Sequence, residues 1–159
     1  MVSREEIQTA VDNAKEIMLD CGLNVDATVE DLIDWFDTEL PVPDITLGAV
    51  LLDPLLVVHE LVEIDEMLKM GFKLSKDVIM KNPIEVDDAH LKAAEIEMRI
   101  AHSIGAAEHI RDRIKDVESW CVDKALPERR KAEYKQLLTT VKDYLSDLER
   151  KTIREPSAS

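Results

Sequence analysis

Within "LLVVHELVEIDEMLKMG", Leu55–Gly71, one imidazole and three carboxylates fall close together: His59, Glu60, Glu63 and Glu66. On a helix turning about 100° per residue, Val57, Leu61, Ile64 and Leu68 share a narrow sector. Val58 and Val62 widen that sector, which leaves the four polar residues on the opposite arc. Carboxylates three apart are neighbours there and repel by about a few tenths of a kcal/mol. Only Lys69 stands near enough in sequence to relieve them. A solvated acidic face is the simplest account, and a divalent cation is the chemical one. Mg²⁺ takes oxygen ligands in octahedral geometry and is commonly shared between carboxylates and substrate phosphates.

Such a site needs carboxylates from a second helix. The tandem Glu60, Glu63, Glu66 supplies the Glu-x-x-Glu spacing, and Glu85 with Asp88 supplies Glu-x-x-Asp. In that order the two pairs resemble the MazG-like group of all-alpha NTP pyrophosphohydrolases. "HELVE" with "IDEMLKMG" resembles the group's first metal helix and its exit. "EVDDAHLKAAEIEMRIAHSIG" resembles the second metal helix, running to a glycine. The resemblance covers Pro54 to Arg113. It implies Mg²⁺ bound by Glu60, Glu63, Glu85 and Asp88, with Glu60 and Glu63 as the catalytic carboxylates. It also implies hydrolysis of a nucleoside triphosphate to monophosphate and pyrophosphate. Lys92 and Arg99, beyond Asp88 on nearly the same face, are the candidates for contacting the phosphates of that nucleotide.

Other constellations carry less. Glu95, His102 and His109 recur every seventh residue and drift slowly along one helix face. Imidazoles suit Zn, Fe and Ni, but these two histidines stand too far apart to share one ion directly, and exposed helix histidines are the simpler reading. Asp87 and His90 are three apart, without the Glu-x-x-His pairs of di-iron bundles. His59-Glu60 faintly resembles the His-Asp helix of HD-type phosphohydrolases, which also use a preceding histidine ligand; no histidine precedes His59. Cys21 and Cys121 have neither metal-ligand spacing nor a disulfide pattern, and core packing accounts for both. No Gly-rich phosphate loop or nucleophile elbow is present.

Composition sets the class. The chain has 159 residues, 45% of them hydrophobic, with only four Gly and six Pro, which suits one helical domain better than a turn-rich sandwich or barrel. A net charge of −14 opposes direct binding to nucleic acid or to an anionic membrane, because both require Lys and Arg to replace counterions. The same charge supports a reading from another class: a non-catalytic helical protein docking its acidic surface on a basic partner. "MVSREEIQ" is charged from the outset and has no apolar run of signal-peptide length, and no stretch reaches membrane-spanning length, so a cytoplasmic location is expected.

The elements that must position these residues are punctuated by caps and stops. Ser3 with Glu6 opens a helix that Gly22 ends. A second helix spans Ala27 to Glu39, with Val29, Leu32, Ile33 and Phe36 inward. "ITLGAVLL" suits a short helix or buried turn. Asp53-Pro54 reads as N-cap and first helical residue of the acidic helix, which stops at Gly71. "SKDVIMK" suits a turn or short helix. "NPIE" opens a long helix to Gly105 that continues, bent or broken, through "AAEHIRDRIKDVESWCV". Pro127 opens the last helix, with Tyr134, Leu137, Val141, Leu145 and Leu148 as its stripe. "PERRKAEYK" reads as a solvated basic helix start. The expectation is an all-α bundle of five or six helices in a single domain, 1–153, with a frayed tail, 154–159. Its Ala-rich and apolar faces point to a homodimer.

Overall fold

Caps and stops divide the chain much as its patterning dictates. The computed structural model describes residues 2–154; of the tail expected at 154–159, Arg154 still belongs to the last helix and 155–159 lie outside the described residues. It is all-helical: α1 Arg4–Asp20, α2 Val29–Phe36, α3 Leu47–Val50, α4 Pro54–Lys69, α5 Val78–Lys81, α6 Pro83–Ser103, α7 Ala107–Cys121 and α8 Glu128–Arg154. The described residues contain no strand. The eight helices among the described residues exceed the expected five or six because α3 and α5 are single turns of four residues. They occupy the two stretches whose short apolar runs left helix and turn undecided. No helix among the described residues is long and apolar enough to cross a membrane.

Contacts group the chain into two compact units, Met1–Glu97 and Met98–Ser159, and the boundary falls inside α6. In the first unit α1, α2 and α3 all pack against α4. Ile7, Val11, Ala14 and Met18 of α1 meet a core that includes Val29, Leu32 and Trp35 of α2. The α2 register differs from the expected one: Ile33 is exposed and Trp35 is buried in its place. Trp35 lies one turn from Leu32, and its large ring removes more apolar surface from water than Ile33 would.

The acidic helix departs most from its sequence pattern. Besides Val57, Leu61, Ile64 and Met67, it buries His59, Glu63 and Asp65. Three helices lean on α4 and side chains of α6 reach it as well, so its polar arc is not a solvent face. Asp65 is answered by the Asp26 backbone N–H at 3.0 Å and by Lys69 Nζ at 2.9 Å.

Local chemistry fixes the ends of the elements that carry the site. Thr28 accepts from the Asp31 N–H while the Asp31 carboxylate accepts from the Thr28 N–H, a complete capping box. Asp53 accepts from the Leu55 N–H at 3.0 Å, with Pro54 in the first turn. Gly71 (φ 91°) and Gly105 (φ 74°) take the left-handed backbone that ends α4 and α6, a conformation costly for residues bearing a Cβ.

In the second unit α7 packs against α8. Ile110, Val117 and Cys121 are buried, as are Tyr134, Leu137, Val141 and Leu148. Trp120 lies beside Tyr134, and the Arg113 guanidinium sits over the Trp120 ring at 5.3 Å. Leu145 is only half-buried. The basic start of α8 is answered within its own turn, with Lys131 Nζ 2.7 Å from Glu128.

Because α4 is the helix on which α1, α2 and α3 converge, truncating its centre should be costly. Leu61→Ala removes a side chain with no exposure, and urea denaturation should show a loss of about 2–5 kcal/mol. Leu52→Ala, at a site 86% exposed, should stay within about 0.5 kcal/mol of the parent. Equal losses at the two positions would contradict this assignment of the core.

Candidate metal centre

The site begins with one turn of α4. Residues four apart share a helix face, so His59 and Glu63 project together. His59 Nε2 lies 3.0 Å from Glu63 Oε2. From α6, His90 brings Nδ1 to 3.3 Å from His59 Nε2 and 3.6 Å from Glu63 Oε2. Three potential ligand atoms thus form a small triangle. Ligands about 2.0–2.2 Å from one ion, at tetrahedral or octahedral angles, stand roughly 3.0–3.5 Å apart. The triangle matches that edge length, and among the described residues it is the one group of three or more His, Cys, Asp or Glu with metal-holding spacing.

No family model, curated protein or solved structure matches this chain. The geometry therefore carries the argument by itself.

The other ring nitrogen of His59 is equally committed. Nδ1 lies 2.8 Å from Oε1 of Glu97, a carboxylate with no solvent exposure, two turns along α6 from His90. A carboxylate behind a ligating histidine fixes the tautomer that turns the opposite nitrogen toward the ion. Glu97 supplies that arrangement.

Charge explains why the cluster invites a cation. Burial alone would lower the His59 pKa, but hydrogen bonds to Glu63 and Glu97 and their charges push it up to about 10. The ring is then an imidazolium between two carboxylates. Burial opposes ionisation of Glu63, yet hydrogen bonds from His59 and His90 hold its carboxyl down at about 2. One cation and two anions leave this buried group one negative charge in excess. A divalent ion replacing the His59 proton would balance Glu63 and Glu97 with nothing left over.

Glu60 stands beside the triangle. It is half-buried, and Trp35 donates its indole N–H to Glu60 Oε2 at 3.1 Å. Burial, then the Glu63 charge, push its carboxyl up to about 8 against the opposing effects of His59 and Trp35. Two carboxyls one turn apart thus have affinities for the proton driven in opposite directions, the pattern that suits an acid–base group beside a ligand.

The structure brings Glu63 into the cluster and places Glu60 next to it. Glu85 and Asp88 lie outside it, Glu85 half-buried and Asp88 exposed. On α6 they fall about 140° and 160° around the axis from His90. Lys92, about 160° from His90, shares that far face and is also exposed, and Arg99 is exposed further along. Glu66 is half-buried and 4.0 Å from Lys69 Nζ. Glu95 is exposed and His109 half-buried. His102 bonds to Asp147 Oδ2 at 2.7 Å and stacks on Tyr144.

His59, His90 and Glu97 are the functional candidates that sequence reasoning did not assemble. The signal for the first was its spacing of four from Glu63. The signal for the others was the spacing of seven between His90 and Glu97, which puts both on one stripe of α6.

These shifts set the pH dependence of the metal-free protein. His59 stabilises the fold fully below its unfolded value of about 6.5, and that contribution is lost as pH rises through about 10. Glu60, also raised, contributes below its unfolded value of about 4.3 and loses its contribution as pH rises through about 8. Glu63, depressed, contributes above about 4.3 and loses its contribution as pH falls toward about 2. Thermal melts in EDTA should therefore peak near about pH 4.5 and decline on both sides. Glu60→Gln should flatten the decline between about pH 4.5 and 8, because glutamine does not ionise. Parallel profiles for the variant and its parent would rule out burial of an ionising Glu60.

Proposed function

We propose that this chain is a metal-dependent hydrolase whose ion is a first-row transition metal held by His59, Glu63 and His90. The observation that carries the reading is the triangle of ligand atoms backed by Glu97. Two imidazoles and one carboxylate form a donor set suited to zinc, iron or a similar ion, whereas Mg²⁺ prefers oxygen alone. Three protein ligands also leave coordination positions open, which separates a catalytic site from a closed structural one.

When bound, such an ion lowers the pKa of water and polarises the bond to be cleaved. The chain's own residues supply the rest. His59 and His90 orient the centre, and Glu97 holds the His59 tautomer. Glu60 is placed to accept a proton from water and to return it to a leaving group, with Trp35 fixing its carboxylate. Helix α4 thus presents ligand, acid–base group and ligand in the order His-Glu-x-x-Glu. Helical zinc sites written His-Glu-x-x-His use the same order, with a second histidine at the last position.

The Mg²⁺-dependent cleavage of a nucleoside triphosphate, implied by the resemblance to the MazG-like group, is the competing reading. One observation favours it: Glu60 and Glu63 lie one turn apart on α4, the spacing at which two carboxylates can share a cation.

Metal analysis separates the two. After incubation with Zn²⁺ or Co²⁺ and removal of excess, the parent should retain one ion per chain, and Co²⁺ should give visible d–d absorption. His59→Ala and His90→Ala should each abolish retention. Glu97→Gln should keep the fold but weaken affinity by roughly 10- to 100-fold. Mg²⁺ binding and ATP cleavage that survive His90→Ala, with no retained Zn²⁺ or Co²⁺ in the parent, would favour the competing reading.

A further inference from the structure

The acidic charge of the chain is spread unevenly. Residues 1–97, the first compact unit, hold 23 Asp and Glu against 7 Lys and Arg, and residues 98–159 hold 11 against 13. A cationic partner is therefore drawn to the first unit. Helix α4 does not offer it a surface, because His59, Glu63 and Asp65 are buried.

A groove of about 580 Å³ beside α1 and α3 does. It follows α1 from Ser3 to Asn13, three turns of helix or roughly 15 Å. Val2, Ala10, Leu51 and Leu52 give it an apolar lining, and Glu5 and Glu6 are its charged residues. No Lys or Arg lines it. Arg4, next to Glu5 in sequence, pairs instead with Glu30 of α2. Leu52 is 86% exposed. A lone exposed leucine needs no explanation, but this one borders an apolar groove that also carries two carboxylates.

We propose that the groove beside α1 and α3 docks a basic amphipathic helix of a partner protein, its apolar face on Leu51, Leu52, Val2 and Ala10 and its Lys or Arg residues against Glu5 and Glu6. Helices dock in grooves through anchors at i, i+3 or i+4 and i+7, which span roughly 10 Å, and the groove is long enough for all of them. An acidic helix would meet the same lining with the wrong charge. A cationic segment without apolar anchors would leave Leu52 in water. The requirement for both features separates docking here from diffuse attraction to an acidic unit, and it involves no ion at His59, Glu63 and His90.

The test uses the full chain and three fluorescein-labelled helical peptides, each about four turns long. The first has Leu at spacings of three and four, flanked by Lys. The second replaces every Lys by Glu, and the third replaces every Leu by Ser and keeps the charge. Fluorescence anisotropy should show saturable one-to-one binding of the first peptide alone, weakening by about tenfold from about 0.1 M to 0.5 M NaCl. Leu52→Ala, and Glu5→Gln combined with Glu6→Gln, should each weaken it by at least about fivefold at about 0.1 M NaCl. Glu16→Gln combined with Asp20→Asn removes the same charge from α1 outside the groove and should change it by less than about twofold. All five substituted residues are exposed, so the fold is retained. Equal binding of either control peptide, or equal losses in the groove and control variants, would overturn the proposal in favour of diffuse attraction. No binding of the first peptide would overturn it outright. A chain that self-associates in sedimentation, becomes monomeric on Leu52→Ala and binds no peptide would make the occupant a second copy and overturn the stated partner.

Discussion

An imidazole enclosed by two carboxylates, His59 between Glu63 and Glu97, is the constraint around which the first unit is arranged. Ionised groups removed from water are costly, and the cost is recovered only where each meets a partner in good geometry. Here all three lie within a tenth of full burial, and their bonds run from α4 to α6. The helix that reads as a solvent-facing strip must therefore be covered over the arc that carries His59 and Glu63. Its packing against α1, α2 and α3 follows from the same need. Loss of one partner would strand a buried charge, which typically costs about 3–5 kcal/mol.

In this arrangement a structural triad and a metal centre share the same contacts. A proton on His59 Nε2 and a divalent ion at the same place satisfy the same neighbours. The difference lies in the count of charge: the proton leaves one carboxylate unbalanced, and the ion does not. Two features outside the triad tip the balance. His90 turns Nδ1 into the same small volume, and Glu60 is kept beside it by an indole N–H. A purely structural salt bridge needs neither.

Much of the fold was legible because helix ends are local chemistry. Ser3, the Asp53-Pro54 pair and the glycines at 22, 71 and 105 mark boundaries through their own hydrogen bonds and dihedral angles. The all-helical class followed from the scarcity of turn formers. The site was only half legible. Glu60 and Glu63 stood out through repulsion along one helix, a local property. Hydropathy periodicity assigns His59 to solvent because it treats imidazole as polar and does not represent a buried partner. His90 and Glu97 gained meaning only from the pairing of α6 with α4, which is tertiary information. Spacing drew attention to Glu85 and Asp88, but spacing alone does not say which face of a helix meets a neighbour.

The centre depends on two helical registers, four residues from His59 to Glu63 and seven from His90 to Glu97. This has a consequence for how the gene can vary. Replacing exposed residues between those positions leaves every ligand in phase. Inserting or deleting a single codon inside either interval turns everything beyond it by about 100° and disperses the cluster. The connection from Gly71 to Asn82 carries no such phase, since it holds none of the cluster's ligands. Length changes can accumulate in that connection while the two intervals stay fixed, so the centre would leave its trace in descendants as two conserved distances rather than as one conserved stretch.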